Sequence, residues 1–384
     1  MRFLDAGESH GRGMVAIVEG LPYGLRISAS YIEEELARRR LGYGRSGRMA
    51  LEGDRVEILS GVRSGVTLGS PVTMLVMNAE YEKWRQVMPL EGGGRVERIT
   101  APRPGHADLA GAIKYGTRDI RDIMERSSAR ETVGRVCAGS LAKAFLAEMD
   151  IAVCSHVLAV GGVEADMAGG TPSLADLKQV DRDPMRCLEA TASHAMREVV
   201  EKAVEEGDSL GGIFEVVAFG LPVGLGSHVH WDRRLDARLA ASLMAIQAVK
   251  GVEIGDGFAL AGMRGSRAAD AIGHEPGRGF FRHSNHAGGL EGGMTNGEPL
   301  VVRAAMKPIP TLSSPPDSVD LESKARVKAA VERADVCAVP AAAVIAEAAV
   351  AFVLADALLE KLGGDSMDEI RARYRALVRE QVGF

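Results

Sequence analysis

An α+β fold is predicted for this chain by the order of its segments. Short β-branched runs cluster in the first part of the sequence, and long alanine-rich helical stretches fill the last part. Strand and helix do not alternate regularly, as a doubly wound parallel sheet would require. No Pro/Ser linker, low-complexity tract or fixed-period repeat divides the 384 residues, so 1–384 is read as a single domain.

The elements follow in order. Met14–Glu19 is a β-branched run and a strand. Ser30-Tyr31-Ile32-Glu33 fits a capping box, in which serine and glutamate satisfy each other's backbone donors. The helix it opens ends near Leu41, with Gly42 as its stop. Val56–Leu59 and Val72–Val76 read as strands, Glu131–Met149 as a helix and Ile151–Val160 as a strand. A helix at Ser193–Glu206 precedes a strand at Gly212–Phe219. A long helix is expected over Asp232–Val249 and a strand over Pro299–Ala304. Alanine-rich helices are expected after Ser323. The most apolar stretch, Pro340–Leu359, is interrupted by Glu347 and Asp356, so it reads as a core helix rather than a bilayer span.

Composition excludes several classes. A net charge of −6 argues against a generic nucleic-acid binder, and 4% aromatic residues leave few stacking platforms for bases. Cys137, Cys154, Cys187 and Cys337 are widely spread with no Cys-x-x-Cys pair, which argues against a structural zinc site. Met1-Arg2-Phe3-Leu4-Asp5 lacks the apolar stretch of a signal peptide. A cytoplasmic protein with reduced thiols, no metal and no membrane partner is expected. Forty-six glycines suit a ligand site built from loops.

Two motifs mislead. Gly42-Tyr43-Gly44-Arg45-Ser46-Gly47 matches the dinucleotide fingerprint, but it follows a helix, whereas that fingerprint works between a strand and a helix. Gly7-Glu8-Ser9-His10-Gly11 and Gly207-Asp208-Ser209-Leu210-Gly211 both match the nucleophile-elbow pattern. The second follows a helix and fails; the first follows a short apolar stretch and keeps a serine hydrolase as the alternative class.

The acidic chain carries basic islands. Arg38, Arg39, Arg40, Arg45 and Arg48 lie in a stretch that contains no acid. A solvated helix end explains Arg38 and Arg40 equally well. Arg45 and Arg48 differ because glycines around them let guanidinium groups approach an anion, whose geometry the arginine fork matches. Further islands are Arg103-Pro104-Gly105-His106-Ala107-Asp108, Arg126-Ser127-Ser128-Ala129-Arg130, Lys307-Pro308-Ile309-Pro310-Thr311 and Arg333-Ala334-Asp335. Serines between two arginines offer donors to a phosphate or flavin ring, and equally a helix cap before Glu131. His10 and His106 lie in glycine-containing loops beside polar residues, where imidazole can exchange protons. His156, His194, His228 and His230 lack that setting and read as structural or exposed.

Three stretches together resemble the chorismate synthase family over essentially the whole chain. The first is Gly7-Glu8-Ser9-His10-Gly11, running on to Glu19-Gly20-Leu21-Pro22. The second is Glu125-Arg126-Ser127-Ser128-Ala129-Arg130-Glu131-Thr132, with Arg135-Val136 and Gly139. The third is Arg333-Ala334-Asp335, with Glu347-Ala348; it departs from the family only at Ala334, where serine or histidine is usual.

The resemblance implies a β–α–β sandwich, with long helices layered between two antiparallel sheets, and a homotetramer. It implies conversion of 5-enolpyruvylshikimate 3-phosphate to chorismate and phosphate by anti-1,4-elimination, with reduced FMN. Arg39, Arg45, Arg48, Arg103, Arg130 and Arg333 would then neutralise the substrate's two carboxylates and phosphate. His10 would protonate the leaving phosphate, His106 would stabilise the anionic reduced flavin, and Asp335 would help relay the C6 proton. The implied FMN positions are Arg126, Ser127, Ser128, Gln247, Ala248, Gly292, Lys307, Pro308, Ile309, Pro310, Thr311 and Arg333. Arg39 and Arg45 match family positions for NADP, although as anion clamps they suit substrate equally. No extra flavin-reductase insertion is evident, which favours an external flavin reductase over direct use of NADPH.

Overall fold

The computed structural model describes residues 1–47, 53–92, 97–166 and 170–384. Its first sheet contains β1 (Arg2–Ala6), β2 (Gly13–Glu19), β3 (Val56–Ser60) and β4 (Val72–Met77), ordered β1-β2-β4-β3 and antiparallel throughout. Alternation decides its faces: Met14, Ala16 and Val18 of β2 point into the core, while Ile17 and Glu19 point out. The second sheet contains β5 (Ala152–Val160), β6 (Gly212–Phe219), β7 (Val249–Ile254) and β8 (Leu300–Met306). Their order is β7-β8-β6-β5, extended past β5 by the short strand Val163–Glu164, and all pairings are antiparallel.

The main helices are α1 (Ala29–Arg40), α2 (Asp108–Tyr115), α3 (Arg121–Ser127), α4 (Thr132–Ala147), α5 (Ala190–Glu206), α6 (Leu235–Met244), α7 (Val339–Leu362) and α8 (Met367–Gly383). Antiparallel sheets with helices between them in sequence give the expected α+β class. Helix α4 packs on β1 and β2, α7 packs on β5 and β6, and the two helices pack on each other. One contiguous core runs through residues of both sheets and these helices. Among the described residues, α7 is the helix long and apolar enough to cross a bilayer, but most of it is buried inside the protein. That is the core-helix behaviour expected from its sequence.

Small side chains bring α4 and α7 together. A Cβ on Gly139 would fall 2.3 Å from the Cβ of Ala348, so only glycine fits that crossing. The residue before Ala348, Glu347, is fully buried and surrounded by cations. It accepts from Arg38 at 2.7 and 2.9 Å, Lys143 at 2.9 Å, Arg186 at 3.1 Å and the Ser155 hydroxyl at 2.7 Å. Burial pushes its carboxyl up, but Lys143, Arg38 and Arg186 outweigh burial and hold it well below the usual range. The resulting stability is present above the ordinary glutamate value and is lost as pH falls through the depressed folded one.

Three expectations need correction. The cap of α1 is Ser28, not Ser30: Ser28 Oγ accepts the Tyr31 N–H at 3.2 Å. Glu33 accepts from the Val56 N–H instead of reaching back, so no capping box forms. The helix expected over Asp232–Val249 is only Leu235–Met244. The chain leaves the helix after Met244, passes through a turn in which Ala248 has a φ of +66°, and enters β7 at Val249. After Ser323 comes a hairpin strand, Arg326–Lys328 pairing with Asp317–Val319, and helix resumes only at Val339.

Gly139→Val should lower the urea midpoint, with a stability loss of roughly 3 kcal/mol from overpacking at the α4–α7 crossing. An unchanged midpoint would show that the two helices can separate without loss.

Candidate functional site

Distant segments converge on a cavity of about 700 Å³. Its wall includes the β1–β2 loop, the loop after α1, the segment before α2, one face of α3, the 246–248 turn, the 306–311 loop and residues 331–335. The lining carries Arg39, Arg45, Arg103, Arg121, Arg130, Lys307 and Arg333 against Glu125, Glu332 and Asp335. An acidic protein has thus built a cavity with excess positive charge, suited to a small polyanion.

The glycine-containing loop after α1 departs from the dinucleotide geometry as expected, since it follows a helix C-terminus. Gly44 has a φ of +83°, and a Cβ there would lie 3.1 Å from the Cys337 backbone nitrogen. This close approach aligns the loop with residues 335–337. Arg45 pairs with Asp335 Oδ2 at 2.6 Å, and the Ser46 N–H donates to Asp335 Oδ1 at 2.7 Å. Asp335 therefore anchors a loop rather than capping α7, whose first turn has no side-chain cap. Arg48 lies outside the described residues.

Buried carboxylates orient the other cations. Arg130 Nη1 pairs with Asp54 at 2.7 Å, and its Nε donates to Asn78 at 2.9 Å. Burial raises the Asp54 carboxyl, but Arg130, Arg39 and Arg40 outweigh it and hold it below the usual range. Arg39 donates to Thr132 Oγ1 and the Ala129 carbonyl. Arg103 wraps Asp108 through its backbone and side chain and reaches Thr311 Oγ1 at 2.8 Å. His106 Nδ1 lies 2.5 Å from the other side of the same carboxylate. Asp108 is fully buried; burial pushes it up, and the bonds from His106 and Arg103 bring it well below its ordinary value. Arg333, more exposed, pairs with Glu80 at 3.1 Å.

His10 sits where the β1–β2 loop meets α3. Its Nδ1 is 2.9 Å from Glu125 Oε1, and its ring stacks on Trp84 with centroids 3.9 Å apart. Ser9 is buried against Ser128, with the two hydroxyls 3.2 Å apart. The loop leads from β1 into the antiparallel β2, not into a helix, so the strand–turn–helix of a nucleophile elbow is absent at Ser9. Ser209, in the second match, follows α5 and donates to the Ile309 carbonyl.

Most of the residues expected for a flavin also line the cavity: Ser127, Ser128, Gln247, Ala248, Lys307, Ile309, Pro310 and Thr311. Gln247 Nε2 donates to Glu131 at 2.7 Å, which turns its Oε1 away as a buried acceptor with no partner among the described residues. The fit to a flavin rests on the lining itself: Ser127, Ser128, Lys307 and Thr311 offer hydroxyl and ammonium groups to the polar edge of a ring, beside apolar Ile309 and Pro310. The Ala248 carbonyl accepts the Lys307 N–H at 2.9 Å, and Lys307 Nζ donates to the Gly105 carbonyl. Three expected residues stand off the cavity. Arg126 is not in the cavity wall and donates instead to Asp5 and the Gly7 carbonyl. Gly292 turns the Leu290–Glu291 and Met294–Thr295 hairpin, and Pro308 spaces two lining residues without lining itself.

Trp84, Arg121 and the carboxylates of Asp54 and Glu80 were not expected from the sequence. Arg121 lies 4.9 Å over Trp84 and 3.5 Å from Glu125, an i,i+4 spacing that was the available signal. Asp54 and Glu80 carry no local signal; the fold alone brings them in.

A cationic cavity with two carboxylate-held histidines defines an enzyme that handles a small polyanion. The family model described as chorismate synthase matches residues 1–359. A chorismate synthase of Carboxydothermus hydrogenoformans is 53% identical over 375 residues, covering 97% of each chain. One from Trichlorobacter lovleyi is 56% identical over 380 residues, again 97% of each. One from Aquifex aeolicus is 50% identical over 393 residues, 100% of this chain and 99% of the relative. A crystal structure of a chorismate synthase, 42% identical, superposes with a TM-score of 0.82 and covers 100% of this chain and 98% of its own. The chain belongs to the chorismate synthase family, the lyases that perform the last step of the shikimate pathway.

Asp54→Asn should destabilise the protein by roughly 3–5 kcal/mol in urea denaturation, because Arg130 and Arg40 lose a buried counter-charge. Asp54 has a φ of +37°, which asparagine tolerates, so the backbone is preserved and the charge alone is tested. Wild-type stability would contradict that dependence.

Proposed function

We propose that this chain converts 5-enolpyruvylshikimate 3-phosphate to chorismate and phosphate by anti-1,4-elimination, using reduced FMN. The observation that carries this reading is the excess of arginine around a cavity that also holds His10 and His106. The substrate brings two carboxylates and a phosphate, and charge-assisted bonds to arginine suit all three. The C3–O bond breaks with its electron pair leaving on phosphate, C6 loses a proton, and the oxidation level is unchanged.

The chain's residues divide that work. His10 is read as the acid that protonates the departing phosphate, which lowers the barrier to expelling it. Asp335 is read as the relay for the C6 proton. Its bonds to Arg45 and the Ser46 N–H hold its carboxylate in one orientation. His106, fixed by Asp108, would stand against negative charge on a flavin ring. Reduced FMN would supply transient electron density to a substrate whose C6–H no carbonyl acidifies. Gln247, Ala248, Lys307, Ile309, Pro310 and Thr311 would hold it, with Ser127, Ser128 and Arg333. Arg126, Gly292 and Pro308 stay in this set on the family resemblance alone, as does Arg48 in the substrate set. Arg39 and Arg45 are assigned to substrate rather than to NADP, since both meet the same cavity as His10.

The finer architecture belongs to this reading. A β–α–β sandwich is supported by α4 on the first sheet, α7 on the second and their mutual contact. A homotetramer is supported by Leu4, Ile17, Leu59 and Met77, apolar side chains exposed on strands of the first sheet. An external flavin reductase in the cytoplasm is proposed as the source of reduced flavin.

The test counts reducing equivalents. Without oxygen, a catalytic amount of reduced FMN should support many turnovers. Phosphate and chorismate should appear in equal amounts, and reduced flavin should remain at the end. Loss of NADPH one for one with product under anaerobiosis would make the enzyme a reductase and overturn the reading.

A further inference from the structure

We propose that Glu125 is the positioning residue of His10: its carboxylate fixes the imidazole so that proton exchange with the leaving group falls to Nε2. This rests on reading His10 as the acid.

Two bonds join the same pair of residues. The His10 backbone N–H donates to Glu125 Oε2 at 2.7 Å, while ring Nδ1 faces Oε1 at 2.9 Å. An ionised carboxylate only accepts, so Nδ1 must carry the proton in that bond. Glu125 is ionised under ordinary conditions. Burial pushes its carboxyl up, but the bonds from His10 and the charges of His10 and Arg121 keep it below the usual carboxylate range. Its side chain is 2% exposed, so water does not compete for those bonds. Trp84 then closes one face of the ring, tilted by 28° to it. Imidazole rotation is blocked by the carboxylate at one edge and by the indole on one face. With Nδ1 committed to Glu125, Nε2 is the nitrogen that gives its proton to a phosphate oxygen as the C3–O bond breaks. Asp108 holds His106 through the same kind of contact, so the device occurs twice around one cavity. General acid–base catalysis by a positioned side chain typically contributes about 10²–10⁴-fold, which bounds what its orienting carboxylate can supply.

Glu125 could instead serve only to tie the β1–β2 loop to α3, since the Ser9 N–H also donates to the Glu125 carbonyl. A mutant cycle on the FMN-loaded protein separates the two roles. His10→Ala, Glu125→Gln and the double variant are compared by anaerobic single turnover of the enolpyruvyl substrate. Glu125→Gln should slow the chemical step by up to roughly 10²–10⁴-fold, with little change in the substrate concentration that half-saturates it. Added to His10→Ala, it should cost nothing further, because the residue it acts through is gone. An equal loss in both backgrounds would make Glu125 structural and overturn the proposal. Wild-type turnover in Glu125→Gln would overturn it while leaving the lyase reading intact. Wild-type turnover in His10→Ala would remove the acid itself. If Glu125→Gln does not fold, ¹⁵N NMR of histidine in the FMN-loaded wild-type protein decides. A hydrogen-bonded proton on His10 Nδ1 is expected, and a neutral ring carrying its only proton on Nε2 would overturn the assignment.

Discussion

Repulsion among the cations of the cavity is the constraint on which the site depends. Two unit charges ~6 Å apart at an effective dielectric of ~20 repel by roughly 3 kcal/mol. Several such pairs would exceed the 5–15 kcal/mol by which a typical protein is stable. The fold answers with carboxylates drawn from separate segments. Asp54 meets Arg130, Asp108 meets Arg103, Glu125 meets His10 and Arg121, Asp335 meets Arg45, and Glu80 meets Arg333. Apart from Arg121 and Glu125, which are one turn apart on α3, the partners come from different elements or from a loop and the helix it enters. The pairs from Asp54 to Arg130, Asp335 to Arg45 and Glu80 to Arg333 join segments far apart in the chain, so they form only in the folded protein.

Among the described residues, the cations lining the cavity outnumber the carboxylates lining it. Asp54 is shared among Arg130, Arg40 and Arg39, and Asp108 between Arg103 and His106. The positive charge left over is oriented before a ligand arrives. An anion bound there meets donors whose reorganisation is already complete, the condition under which electrostatic stabilisation is strongest. The same carboxylates give each imidazole a local counter-charge in this cationic setting, Glu125 for His10 and Asp108 for His106.

Local patterns made much of this legible in the sequence. The strand Gly212–Phe219 matched residue for residue, because a β-branched run is bounded by a glycine and a turn. The arginine-rich islands and the two loop histidines were legible because their residues are neighbours in the chain. The break at Ala248 was not, since apolar periodicity continues through Ile246 and nothing in an alanine announces a left-handed φ. That break carries Gln247 and Ala248 into the cavity wall. Asp54, Glu80 and Trp84 were invisible because their partners are supplied by tertiary contact. The likeness to chorismate synthases named the reaction, whereas arginine clustering alone indicated only an anion.

What most needs testing is the match between the cationic lining of this cavity and a substrate with two carboxylates and a phosphate, bound in one orientation. The most direct measurement is a crystal structure of the complex with oxidised FMN and the enolpyruvyl phosphate substrate. The account predicts the phosphate within hydrogen-bond reach of His10 Nε2, the carboxylates on the arginines, and a flavin ring against Lys307, Ile309 and Thr311. A phosphate bound away from His10, with a carboxylate in its place, would contradict it.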